Sequence, residues 1–213
     1  MDTAKRKTKN ACVGTVVPDR ALGIRLAGLP VLTAFLMMTT TSPVPAQSGA
    51  RHLSLASVVA APAAAKDLCV RYAWACGRTR GKIADHSRMI AIATEVNRRI
   101  NRKVRPVDDI AQYHVEDYWT LPSSRGGDCE DVALFKKQEL VARGVPADRL
   151  LLATVFSKNV GAHAVLVLRL DEGDFVLDSL NTRIEAWHQT GYTFLRMQNP
   201  DAPGSWVRVT AGG

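Results

Sequence analysis

No apolar stretch in this sequence is long enough to cross a bilayer. The longest, LAGLPVLTAFLMM at 26–38, has 13 residues and is interrupted by Pro30, whereas a spanning helix needs about 20. There is no internal repeat, so the chain does not read as a solenoid or a propeller. Acidic residues are outnumbered, 20 against 28 Lys and Arg. Such an excess would suit nucleic acid or an anionic surface, but it is uneven. Six basic and two acidic residues fall in the first 46, leaving 22 against 18 afterwards. No nucleic-acid-binding module accompanies that remainder, so nucleic acid is not an expected partner. Cysteine is scarce, with four in 213 residues, too few for a disulfide-built scaffold.

What the N-terminus does contain is the pattern of an export signal. A basic start leads into the 26–38 apolar run and then to SPVPAQ at 42–47, where Val44 and Ala46 fit a small-residue cleavage site before Gln47. Residues 1–46 are therefore expected to be a signal peptide, giving a periplasmic or secreted protein with no stable membrane span after cleavage. A retained anchor is the alternative. Export changes the cysteine arithmetic. Cys12 leaves with the signal, and Cys69, Cys76 and Cys129 remain. In an oxidising compartment two can pair. On a straight helix Cys69 and Cys76 would stand about 10.5 Å apart, too far for a disulfide, so they bridge only if the chain turns between them. Cys129 would then be left over. Otherwise all three are reduced structural thiols.

Residues 47–66 are Ala/Ser-rich and read as a linker. The domain is expected over 67–210, enough chain for one core. Asp85 can cap a helix through Asn101, with Met89, Ile92, Ala93, Val96 and Ile100 on one face. VRPVDD at 104–109 breaks the pattern, and a polar, aromatic loop follows at 111–127. A second helix is expected over 129–143, with Asp128 as N-cap and Gly144 and Pro146 as terminators. Strands are expected at 149–156, 162–170, 174–180, 192–197 and 205–210, the second and third joined at the DEGD turn, 171–174. Helices followed by strands predict an α+β fold, helices packed on an antiparallel sheet.

Cys129 at a helix start, His163 at a strand start and Asp178 near the end of the next strand could form a nucleophile, a base and an orienting carboxylate. The helix dipole and an imidazolium favour thiolate, and free amides of the first turn can donate to an oxyanion. Each residue also has a structural explanation: a packing thiol, a core histidine, a strand-end turn. The carboxylates around Cys129 (Asp128, Glu130, Asp131) pose a problem, because neighbouring anions disfavour thiolate. They could equally be an N-cap and first-turn acids.

Trp119-Thr120-Leu121-Pro122, Gly127-Asp128-Cys129-Glu130-Asp131, Lys136/Lys137, Leu140, Gly144, His163-Ala164-Val165-Leu166 and Gly173 through Asp178 resemble, in order, the bacterial transglutaminase-like cysteine proteinases. Ile184, Trp187 and Tyr192 fit the family's C-terminal part. The resemblance covers about 67–208. It implies a papain/transglutaminase-like α+β fold, with Cys129 as nucleophile, His163 as general base and acid, and Asp178 orienting the histidine. The family includes the LapG-type periplasmic proteases, which release a surface adhesin. The resemblance therefore also implies a protein substrate in the cell envelope and a membrane-bound regulator as a further partner. It implies calcium, held by Asp128, Glu130 and Asp131; a hard cation takes oxygen ligands and offsets carboxylate charge beside a thiolate. By looser analogy Trp119 supplies an oxyanion donor, against its alternative as a core aromatic; Tyr118 and Gln112 lie in the same loop.

Two details depart from that pattern. Ser179 stands where the family usually has asparagine. A tight hairpin centred on Glu172-Gly173 would set Asp178 opposite Val167, about 13 Å from His163's level, so a wider loop or bulge, or another acid, is required. The basic cluster Arg98, Arg99, Arg102, Lys103 and Arg105 could bind an acidic partner, but such a cluster is more often a solvated helix face. The expected activity is a cysteine endopeptidase working through a thioester. The same triad would serve an amidase or transglutaminase, and a catalytically silent binding module would keep the fold.

Overall fold

The computed structural model describes residues 51–78 and 85–210. The expected signal peptide lies outside the described residues. Two helices do most of the packing. Helix α2 (His86–Lys103) is capped by Asp85, whose carboxylate accepts the Arg88 N–H at 3.3 Å. It buries Met89, Ala93, Val96 and Ile100 at the three-to-four-residue spacing expected of one helix face. Helix α4 (Cys129–Ala142) is buried almost all round and ends where Gly144 takes a φ of +85°. There are two shorter helices, α1 (Leu68–Arg71) and α3 (Asp109–Tyr113), the second in a stretch expected to be irregular. His114, at φ 61°, ends α3.

The strands are β1 (Ser54–Val59), β2 (Leu150–Ser157), β3 (Gly161–Leu170), β4 (Gly173–Leu177), β5 (Glu185–Ala186), β6 (Thr193–Asn199) and β7 (Ala202–Thr210). They form one antiparallel sheet in the order β1-β7-β6-β2-β3-β4-β5. Alternation along β3 divides two cores. Ala164, Leu166 and Leu168 face α2 and α4, whereas Val165 and Val167 join Leu151, Val155, Met197 and Val209 on the other face. The fold is the expected α+β, helices on an antiparallel sheet.

The segment expected as a linker, 47–66, is structural over its described residues, 51–66. Its residues 54–59 are β1, paired with β7, and Leu53 is buried in the second core. The Leu53 N–H donates to Asp174 Oδ2 at 2.8 Å, and Asp174 is itself held by Arg169 at 2.6 Å. Gly173 has φ +149°, and a Cβ there would lie 2.7 Å from the Arg51 carbonyl oxygen, so the hairpin tip admits the incoming chain only as glycine. Alanine and serine dominate the composition of this segment, which hides a strand whose hydrogen bonds are all made with distant residues.

Cys69 and Cys76 form a disulfide with Cα atoms 5.5 Å apart. The chain turns between them: α1 stops at Arg71, Tyr72 leaves the helical conformation (φ −133°, ψ 70°), and a 3₁₀ turn covers Ala73–Cys76.

Candidate active site

The β3–β4 turn sets the site's register. Leu170 pairs with Gly173 and Leu166 with Leu177, so the two-residue turn is Asp171-Glu172, one residue earlier than expected. Continuing that register puts Asp178 level with Val165, one side chain along the same face from His163. The strand ends at Leu177, and Asp178 reaches back to His163 without a bulge. His163 Nε2 lies 2.8 Å from Asp178 Oδ1. The Leu180 N–H donates to that same oxygen at 2.9 Å, and the Tyr192 hydroxyl donates to Oδ2 at 2.5 Å. Burial alone would raise the pKa of Asp178; the bonds from His163, Leu180 and Tyr192 outweigh it and hold the carboxyl below its ordinary range. The Tyr192 ring stands edge-on to His163, centroids 5.8 Å apart. Burial and the adjacent Asp178 charge keep its phenol protonated, raising its pKa. From α2, Asn101 Nδ2 donates to the Asp178 carbonyl at 2.8 Å and braces the loop after β4. Ser179 is in this loop with its hydroxyl buried.

With Nε2–H committed to Asp178, the histidine presents Nδ1 as its basic nitrogen. Nδ1 is buried and has no hydrogen-bond partner among the described residues. Cys129 enters from α4. Its sulfur lies 3.2 Å from the amide of Ala164, which joins Ala164 to His163. The residue is 2 % exposed and begins the helix. Its sulfur is disulfide-bonded in the structure; a nucleophile would be its reduced form.

The carboxylates beside it do not behave as ordinary helix-start acids. Asp128 occupies the N-cap position, but its side chain makes no capping hydrogen bond. It turns into a cluster with Asp131 and with Asp109 of α3, a residue expected to lie in a chain break. Ligand oxygens of Asp109, Asp128 and Asp131 lie within 4.8 Å of one another, as do those of Asp109, Asp117 and Glu130. Burial, then repulsion from Asp109, pushes Asp128 up to about 7. Burial also pushes Asp131 up to about 8, with Asp128 adding to it against the Thr120 amide bond. Glu130 is raised by burial and by Asp128, and Asp109 chiefly by burial. Asp109 Oδ1, Asp128 Oδ1 and Asp131 Oδ2 are buried with no hydrogen-bond partner among the described residues. Inward-facing carboxylate oxygens without donors fit a hard divalent cation. Asp109 was invisible as a ligand in the sequence because it lies 19 residues before Asp128, and only the fold of the intervening loop returns it.

Trp119 is buried in the main core, its ring edge-on to Trp206 at 5.8 Å. Of the Cys69–Cys76 pair, Cys76 lies 3.8 Å from Gln198 Nε2, and Gln198 also accepts from Lys137 at 2.7 Å. The disulfide thus belongs to the packing behind α4.

A cysteine at a helix start, set against a strand whose histidine is paired to a carboxylate, defines the class of transglutaminase-like and papain-like thiol enzymes. A family model described as bacterial transglutaminase-like cysteine proteinase, BTLCP, matches residues 55–213, and the chain belongs to that family. It is a cysteine protease of the transglutaminase-like kind, so its substrate is protein. Among solved structures, calcium-bound Legionella pneumophila LapG is 28 % identical, with 58 % of this chain and 71 % of that one covered and a TM-score of 0.47. EGTA-treated Legionella pneumophila LapG is 29 % identical, with coverages of 52 % and 63 % and a TM-score of 0.46. Comparison with curated proteins finds no match. No helix of the described residues is long and apolar enough to cross a membrane.

Proposed function

We propose that the protein is an exported, calcium-assisted endopeptidase that cuts a cell-envelope protein, such as a surface adhesin, with Cys129, His163 and Asp178 as its triad. The observation that carries this is the 2.8 Å pairing of His163 Nε2 with Asp178 beside the peptide unit that contacts the Cys129 sulfur. His163 Nδ1 takes the thiol proton as the sulfur attacks the peptide carbonyl. First-turn amides of α4 receive the developing oxyanion. The tetrahedral adduct collapses, the amine departs with the proton from His163, and a thioester remains. Water, deprotonated by His163, then attacks that thioester and frees the acid and the thiol. Asp178 holds the imidazole tautomer throughout, and Tyr192 and Asn101 hold Asp178.

Asp109, Asp128, Glu130 and Asp131 would hold the calcium, with Asp117 at the exposed side. When bound it supplies positive charge that keeps these carboxylates ionised without suppressing the neighbouring thiolate. Calcium-bound LapG supports this choice of ion. The adhesin substrate and a membrane-bound regulator rest on the family resemblance, and export rests on the signal-peptide pattern of residues 1–46.

The test is alkylation of the reduced full chain with iodoacetamide, followed by peptide mass spectrometry, with calcium and with chelator. Cys129 is expected to react faster than a free thiol in solution, and to slow in His163→Ala and under chelation. Labelling no faster than a free thiol would make the chain a silent binding module of the same fold.

A further inference from the structure

We propose that the basic cavity between the end of α2 and the Ser123–Gly126 turn is a subsite for an acidic segment of the protein substrate. The cavity is about 400 Å³ and is lined by Lys103, Arg105, Arg125, Ser123, Ser124 and Phe135 among others, a size in the range of ligand pockets (roughly 300–1,000 Å³). Its wall is rigid. The Gly127 N–H donates to the Arg105 carbonyl at 3.1 Å, the Val107 N–H to the Gly127 carbonyl at 3.2 Å, and the Ser123 N–H to the Gly126 carbonyl at 2.9 Å. Gly126, at φ +132°, has the Arg105 carbonyl oxygen 2.1 Å from where a Cβ would stand, so the two backbones meet only because that residue is glycine.

The cations are held without being neutralised. Arg105 Nε and Nη2 both donate to the Arg125 carbonyl, at 3.2 and 2.9 Å. Arg125 Nη2 donates to the Ala111 carbonyl at 3.1 Å, and Lys103 Nζ stands 5.5 Å over the Phe135 ring. Among the described residues none of the three has a carboxylate partner; Arg99, on the same helix as Lys103, is paired with Glu139. Asp109, Asp128 and Asp131, close in sequence to these cations, converge on one another instead. Three fixed positive charges, with hydroxyls and an aromatic wall, suit the carboxylates of a peptide. Arginine donors saturated on one side by carbonyls keep their outer N–H groups for a ligand.

The placement gives the subsite its relation to the chemistry. Gly126 is three residues from Cys129, no more than about 11 Å along the chain. An extended substrate with its scissile bond at Cys129 therefore carries the acidic residues within about three or four positions of the cut. This location rests on the proposed role of Cys129, whereas anion binding by the cavity does not.

The experiment uses the full chain carrying Cys129→Ala and fluorescein-labelled hexaglutamate, followed by fluorescence anisotropy in physiological salt. Hexaglutamine serves as the neutral peptide and inorganic phosphate as a competitor. Binding of hexaglutamate is expected, weakened about tenfold in a Lys103→Gln/Arg105→Gln/Arg125→Gln variant. It should be unchanged in a Lys66→Gln/Lys158→Gln/Arg208→Gln variant that removes as much charge elsewhere. Lys103→Glu, which breaks no backbone contact of the turn, should weaken it several-fold and covers the event that the triple variant fails to fold. Absence of binding, equal loss in both triple variants, or displacement by phosphate at matched charge would overturn the subsite. Retained peptide binding with slow Cys129 alkylation would remove the catalytic role and keep the subsite; the reverse pair would remove the subsite alone.

Discussion

Lys136 and Lys137 are consecutive and both fully buried on α4, a situation rare for lysine unless it is paired. Lys137 has a partner, Gln198 Oε1 at 2.7 Å, while Lys136 Nζ has none among the described residues. Burial depresses Lys136 from 10.5 to about 7, against the attraction of Asp178. In the unfolded chain it keeps its ordinary value, so between about pH 7 and 10.5 the unfolded state binds the extra proton and stability rises with pH. The cost of the buried charge is therefore complete below pH 7, on the order of 5 kcal/mol at most. Lys136→Met keeps the volume and removes the charge. It should raise the thermal midpoint by several degrees at pH 6, with the gain shrinking toward pH 10. Equal gains at both pH values, measured by scanning calorimetry, would mean that burial of charge is not the cause. At this scale the sequence made Cys129, His163 and Asp178 legible because their order matches a family pattern. Asn101, and the part Tyr192 plays in holding Asp178, were not legible, because a hydroxyl or amide that braces a distant carboxylate leaves no local pattern.

Among the elements, the start of α4 matters most, because its N-cap and first turn carry both the proposed nucleophile, Cys129, and three buried acids, Asp128, Glu130 and Asp131. Asp128 and Asp131 have folded pKa values raised to about 7 and about 8. Without a cation, then, the stability present near pH 4 is lost as pH rises through 7–8, where the folded cluster must give up protons it holds more tightly than the unfolded chain does. Calcium should flatten this decline and raise the midpoint at pH 8 by several degrees. Asp131→Asn keeps an acceptor for the Thr120 N–H, which bonds Asp131 Oδ1 at 2.9 Å. At pH 8 it should be at least as stable as the native chain under chelation and should lose the calcium increment. Asp109→Asn should lose it too. A midpoint indifferent to calcium in the native protein would dispose of the metal. The β3–β4 hairpin shows how far pattern reading reaches. Both strands were legible from alternation and the DEGD turn, but a one-residue difference in the turn moved Asp178 two positions along β3, from the level of Val167 to that of Val165. Register is decided by which turn lets Gly173 meet the Arg51 carbonyl, a contact between residues 122 positions apart.

For the whole molecule, the boundary of the folded unit falls earlier than composition suggests. Without β1 the β7 edge would be open and Leu53 would leave the second core, a loss of both hydrogen bonds and apolar burial. A protein beginning at Gln47 should keep the cooperative thermal transition of the native chain. One beginning at Ala60 should lose it or melt well below it, followed by circular dichroism. Matching transitions would restore the linker. The sequence by itself determined the class of fold, the two packing helices, the positions of five strands, and the family with its candidate nucleophile, base and acid. Those depend on periodicity and local order, which the chain carries within a few residues. Tertiary structure alone decided that 51–59 closes the sheet, that Asp109 joins Asp128 and Asp131, and that backbone carbonyls organise Arg105 and Arg125 around a cavity. Each of these is a contact between distant segments, and its free energy exists only once the sheet and helices have brought them together.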